Sequence, residues 1–195
     1  MLRRQPSPYL SERNWLLNNM LPSIVNSHQL KAMADLASLT PDGAFCEIGV
    51  YHGGSAYYLY EVAIKQDREL HLFDTFSGTP VFTEGLDKHR IDDEFADKHA
   101  PKRIADLMPL AHLHIGIYPD THPAEMRSIA FIHCDCDQYE SYSSVIHRMW
   151  PLVVSGGILL FDDYPYLAGA KKAVEENFSI DELKTCAQRY YVVKR

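Results

Sequence analysis

Asp135, Asp137, Asp162 and Asp163 stand where two short apolar runs end. Ile129-Ala130-Phe131-Ile132 leads into Asp135-Cys136-Asp137, and Gly157-Ile158-Leu159-Leu160-Phe161 leads into Asp162-Asp163. Each run is β-prone and almost free of polar side chains, the pattern of a strand buried on both faces of a parallel sheet. Parallel strands finish at one edge, so if these two are neighbours, four carboxyl groups gather in one small space. Two such charges about 4 Å apart repel by about 4 kcal/mol at an effective dielectric of ~20. A divalent cation with oxygen ligands relieves that repulsion, and magnesium suits carboxylates that leave positions open for water or substrate.

A second constellation lies upstream, in Glu47-Ile48-Gly49-Val50-Tyr51-His52-Gly53-Gly54-Ser55. Its glycines do not follow the G-x-G-x-x-G spacing of a pyrophosphate-binding turn. Glu47 puts a carboxylate where a diphosphate would need bare amide donors, so a ligand with a cationic group is favoured. Asp74, about one βα unit downstream, is placed to take the two hydroxyls of a ribose. An ammonium near Glu47, close backbone approach at the glycines and a ribose at Asp74 together describe S-adenosylmethionine (SAM). Glu47, Gly49, His52, Gly53, Gly54, Ser55, Asp74 and Thr75 make up the candidate cofactor-binding set.

The elements that position these groups alternate. Strands are expected at residues 44–50, 69–73, 112–117, 129–132 and 157–161, with helices at 55–65, 101–108, 139–150 and 168–178 between and after them. Two closing strands, 182–187 and 189–194, are near enough to pair antiparallel. Upstream, residues 1–40 form an N-terminal helical segment with helices over 15–25 and 28–39. Residues 77–100 are too polar for core and too long for a tight connection, which marks a lid or substrate loop. The expected fold is α/β, a Rossmann-like, mostly parallel seven-stranded sheet with an antiparallel C-terminal hairpin and right-handed crossovers.

With 195 residues, 46% hydrophobic and 23% charged, the chain fits one domain with a full core. Its net charge of −7 and lack of a basic stripe argue against a nucleic-acid partner. No run is long enough for a membrane span, and no signal-peptide core forms behind Arg3 and Arg4. Cys46, Cys134, Cys136 and Cys186 include no Cys-x-x-Cys pair and read as reduced, buried thiols of a cytoplasmic protein. The sequence leaves a homo-oligomer open.

Four stretches also carry a resemblance: Phe45 to Ser55, Leu72-Phe-Asp-Thr-Phe-Ser-Gly-Thr-Pro80, Asp135-Cys-Asp-Gln-Tyr-Glu-Ser141 and Gly156-Gly-Ile-Leu-Leu-Phe-Asp-Asp-Tyr164. Together they resemble the macrocin O-methyltransferase (TylF/MycF) family, class I SAM-dependent enzymes that methylate sugar hydroxyls of macrolides with magnesium. The resemblance implies that Glu47, Gly49, Gly53, Ser55 and Asp74 bind SAM and that Asp135, Asp162 and Asp163 hold Mg2+. Asp135 or Asp137 would then accept the proton of a small-molecule hydroxyl activated by the metal. The N-terminal portion looks short for the family, and residues 83–99 do not align with it. His133-Cys134-Asp135 has the H-x-D form of an iron facial triad with His147 as a distant third ligand, but a structural histidine fits an alternating α/β chain better. Two other readings stay open: a two-metal phosphoesterase on the same acids, and a catalytically silent binding protein on this scaffold.

Overall fold

The computed structural model describes residues 21–89 and 95–195. Seven strands form one sheet in the order β3-β2-β1-β4-β5-β7-β6. They are β1 (Ala44–Ile48), β2 (Leu70–Asp74), β3 (His112–Ile115), β4 (Ile129–Cys134), β5 (Val153–Phe161), β6 (Lys184–Cys186) and β7 (Arg189–Val193). The first five are parallel to their neighbours, while β7 runs antiparallel to β5 and β6. Among the described residues, five helices cover the sheet: α1 (Ser27–Ser38), α2 (Gly54–Lys65), α3 (Ala100–Leu107), α4 (Tyr139–Arg148) and α5 (Ala168–Glu175).

Every residue of β1 and β4 is buried, because both lie inside the sheet with helices on either face. Alternate side chains feed two cores. Phe45, Leu72 and Leu160 pack with Leu30, Leu59 and Ile104 from α1, α2 and α3. Cys46, Phe73 and Phe161 face the other way, against Tyr142 and Val145 of α4 and Ala173 and Val174 of α5.

The elements follow the expected order, with shifted ends that have local causes. β5 begins at Val153 rather than at Gly157, because the backbone of Gly156 and Gly157 exchanges hydrogen bonds with Lys194 beyond β7. α4 stops at Arg148 and gives way to a 3-10 turn, Trp150–Leu152, that carries Pro151. α5 ends at Glu175, short of Phe178. Of the helix expected over 15–25, residues 15–20 lie outside the described residues, and 21–25 are not helical. Residues 77–89 and 95–99 of the expected lid form no helix or strand, apart from one bridge between Ser77 and Ala96 that closes the base of the loop. Residues 90–94 of that lid lie outside the described residues. Among the described residues, no helix is long and apolar enough to cross a membrane.

The strand ends that matter are sewn together past the sheet. Asp135 N–H donates to Ile48 O at 2.9 Å and Asp162 N–H to Cys134 O at 3.0 Å, so β1, β4 and β5 continue their ladder into the acidic turns. Gly49 makes this possible. Its φ is +88°, and a Cβ there would lie 1.7 Å from the carbonyl oxygen of Asp135. Gly49→Ala should therefore cost about 3 kcal/mol, combining left-handed strain with a backbone clash. Urea unfolding measures it, and a loss under about 0.5 kcal/mol, the range of a neutral surface change, would contradict the tight approach.

Candidate active site

A cavity of about 460 Å³ opens at the carboxyl edge of the sheet, where open α/β folds bind ligands. That is inside the ~300–1,000 Å³ range of small-molecule sites. Gly49, His52, Gly54, Ser55, Asp74 and Thr75 line one part of it, and Asp135, Asp137, Asp162 and Asp163 another. Two of the sequence candidates do not line it. Gly53 packs toward Ile104 and Leu21. Glu47 is fully buried behind Ser55, whose hydroxyl donates to Glu47 Oε1 at 2.5 Å.

At the glycine turn the chain is held by Asp74. Its Oδ2 accepts from the Val50 and Tyr51 N–H groups at 2.6 and 2.8 Å, and its Oδ1 from Phe76 N–H at 2.6 Å. A carboxylate offers about four acceptor positions, so Asp74 braces the turn and keeps roughly one position for a ligand hydroxyl. Thr75 donates to Gly78 O at 2.7 Å and shapes the following bend. His52 Nδ1 stands 2.6 Å from Asp97 Oδ2, which also takes the Arg103 guanidinium at 2.6 Å. Partial burial opposes ionisation of Asp97, but Arg103, the His99 N–H and His52 together hold its carboxyl well below the usual range. This triad fastens the far end of the 77–99 loop to the glycine turn.

At the acidic end, charges alternate along a buried row. Glu47 of β1 faces His133 of β4 at 3.3 Å, in direct register. The other imidazole nitrogen of His133 reaches Asp162 Oδ1 at 3.1 Å, and the same carboxylate pairs with Arg189 of β7. Burial alone would depress the His133 imidazolium, yet its hydrogen bonds to Asp162 and Glu47 outweigh it and push the pKa up to about 10. Burial likewise opposes ionisation of Asp162, and His133 and Arg189 lower it. The row is self-neutralising, two negative groups against two positive.

For Asp135 and Asp163, burial and like charges prevail. Burial, then the Asp162 and Asp163 charges, raise Asp135 well above the carboxylate range. Asp163 is pushed up to about 8 by burial and by Asp137 and Asp162, although Tyr142 OH donates to it at 2.9 Å and Asp137 N–H at 3.1 Å. Among the described residues, one group brings metal-ligating atoms within 4.8 Å of one another, and it consists of His133, Asp135 and Asp162. Asp135 and Asp162 of the expected ligand trio thus converge, with His133 beside them, while Asp163 spends an oxygen on Tyr142 and Asp137.

Sequence reasoning passed over Arg189, whose position inside an otherwise apolar strand was the available signal. It also passed over Gln138 and Asp87. The fully buried Gln138 accepts from Val81 N–H at 3.2 Å and donates to His89 O at 3.5 Å, and Asp87 accepts from Tyr139 N–H at 2.8 Å. These contacts staple the 81–89 segment to the start of α4, bringing His89 to 4.0 Å from Asp137.

The shifts fix the pH dependence of the metal-free protein. Asp163, raised when folded, stays protonated in the fold after it ionises in the unfolded chain, so stability falls from about pH 4 to about pH 8. His133 contributes stability that is whole below about pH 6.5 and lost as pH rises through about 10. Both act in one direction. Below about pH 6.5 the lowered His71, His114 and His122 act the opposite way, so denaturant midpoints in a chelator should decline from about pH 7 to about pH 9, with Asp163→Asn flattening the lower part, and a rise over that range would contradict the assignment.

Comparison with known proteins follows the same lines. The profile of the Macrocin-O-methyltransferase (TylF) family matches residues 26–187. The tetracenomycin-C rhamnosyl 4'-O-methyltransferase of Streptomyces olivaceus is 28% identical over 142 residues, covering 63% of this chain and 53% of that protein. The demethyldecarbamoylnovobiocin O-methyltransferase of Streptomyces niveus is 27% identical over 175 residues, 80% of this chain and 67% of its own length. The chain thus spans between half and two thirds of these relatives. The solved O-methyltransferase NovP superposes with a TM-score of 0.74 at 22% identity, covering 88% of this chain and 81% of NovP, which supports the fold. On a family match that takes in most of its residues, this chain belongs to the macrocin O-methyltransferase (TylF) family.

Proposed function

We propose that the protein is a SAM- and Mg2+-dependent O-methyltransferase acting on a hydroxyl of a sugar or polyhydroxylated natural product. The observation that carries this reading is the split in charge at the cavity. Glu47, His133, Asp162 and Arg189 neutralise one another, whereas burial and like charges raise the carboxyl groups of Asp135 and Asp163 in the same cavity as the glycine turn. Raised carboxyl groups of that kind fit a divalent ion held by Asp135 and Asp162, with Asp163 beside them. The Streptomyces olivaceus relative acts on a rhamnosyl-bearing tetracenomycin by name, which favours a sugar hydroxyl as acceptor.

Each residue then has a defined task. Ser55, backed by Glu47, presents an acceptor-rich corner to the ammonium of the donor, and one oxygen of Glu47, buried and without a hydrogen-bond partner, leaves an acceptor position open behind it. Asp74 and the turn from Gly49 to Tyr51 receive the ribose. Methyl transfer from a sulfonium is an in-line displacement that asks chiefly for positioning. When bound, the metal supplies the Lewis acidity that lowers the pKa of an acceptor hydroxyl. Asp137 lies next to the ligand Asp135 and lines the cavity, placed to take the proton. A vicinal diol would satisfy both the metal and this base. Four free cysteines, two of them fully buried, fit a reducing cytoplasm.

The phosphoesterase alternative fares worse, because among the described residues no Lys or Arg lines the cavity to receive a phosphate. The catalytic reading is tested with a panel of glycosides and nucleotide sugars, SAM and Mg2+. Asp135→Asn and Asp162→Asn should each lower transfer by about 100-fold or more while leaving SAM affinity, read by calorimetry, nearly unchanged. Glu47→Gln should instead weaken SAM binding. Full activity of Asp135→Asn in the presence of a chelator would refute the metal, and no transfer to any acceptor with SAM bound would favour a silent scaffold.

A further inference from the structure

Four of the ten histidines, His71, His112, His114 and His122, crowd the far edge of the sheet, and none of them lines the cavity. Parallel pairing sets His71 directly beside His112, and Phe73 beside His114. Because side chains two residues apart on a strand share a face, His112 and His114 project with His71 from the same side of β2 and β3. The rings lie almost parallel, His71 against His112 at 4.7 Å and against His114 at 5.2 Å between centroids. His71 Nδ1 is 3.0 Å from His114 Nε2. Two nitrogens each bound at ~2.0–2.1 Å to one zinc ion stand about 3.0–3.4 Å apart.

We propose that His71, His112 and His114 form a second metal site, one for a borderline transition-metal ion such as Zn2+, bridging β2 to the edge strand β3. His71 Nδ1 and His114 Nε2 share one N–H···N hydrogen bond, whose proton an ion would replace, and the exposed His112, stacked on His71, would turn about its side-chain torsions to bring a third nitrogen to them. The surroundings match what a metal-binding imidazole needs. The second nitrogen of His71 faces Glu69 Oε2 at 3.4 Å, the carboxylate-histidine arrangement that fixes ring orientation in metal sites. Burial and the neighbouring imidazoles push His114 down to about 4, so it is a neutral base at neutral pH. Imidazole ligands select zinc, copper or nickel, whereas the cavity acids select a hard ion. The two sites therefore differ in both place and chemistry, and this one does not depend on the methyltransferase reading.

The test uses the chelator-treated full chain titrated with ZnCl2 in competition with a chromophoric chelator, for four proteins. The wild type should take up a zinc ion that the Asp135→Asn/Asp162→Asn variant also takes up and the His112→Ala/His114→Ala variant does not. Glu69→Gln should weaken that uptake by about tenfold. On the wild type itself, the ring resonances of His71, His112 and His114 should shift together at one equivalent of zinc, a readout that needs no variant to fold. Uptake unchanged in the histidine variant, or lost only in the aspartate variant, would overturn the proposal, as would zinc-insensitive resonances for these three rings.

Discussion

The site rests on a buried row of alternating charges, Glu47, His133, Asp162 and Arg189, laid across the carboxyl ends of β1, β4 and β5 and the amino end of the antiparallel β7. An isolated charge in that position would cost several kcal/mol, and removing one member of a buried, hydrogen-bonded pair typically costs about 3–5 kcal/mol. The members therefore hold one another, and with them the strand ends from which the cavity acids project. Because the row is neutral within itself, it cannot also neutralise Asp135 and Asp163. Their demand for positive charge is left to a ligand, which is how a structural device becomes a functional one.

The same row links the two parts of the cavity. Ser55 at the turn bonds to Glu47, Glu47 to His133, and His133 to Asp162 at the acidic end. A change of charge at either end acts on groups that are already polarised toward it. The loop after β2 is fastened at both ends of this system: Asp97 grips His52 and Arg103, while Asp87 and Gln138 tie residues 81–89 to α4. Donor turn, acidic turn and loop thus form one connected wall.

Much of this was legible in the sequence. Short apolar runs ending in acids gave the parallel strands and their common edge, and the antiparallel hairpin followed from two β-prone runs, 182–187 and 189–194, although its turn takes in Ala187 as well as Gln188. What the sequence hid was long-range pairing. Nothing local joins Glu47 to His133, 86 residues away, or Asp162 to Arg189. His133 reads as structural in the sequence, and its neighbours turn it into the buried cation of the row. Gly49 and Gly53 look like cofactor glycines, although Gly49 makes room for the backbone of Asp135 and Gly53 for the side chain of Ile104. Glycine patterns record where chains approach closely, whether the approaching group is a ligand or the protein itself.

The central claim is that Asp135, which lies outside the neutral row, and the row's own Asp162 take up a cation beside a bound sulfonium donor. A crystal grown with Mn2+ and S-adenosylhomocysteine, with the metal located by anomalous scattering, addresses it most directly. The account predicts a manganese peak coordinated by Asp135 and Asp162, with the nucleoside lying against Asp74 and the turn from Gly49 to Ser55. A cavity without manganese, or a nucleoside bound elsewhere on the chain, would contradict it.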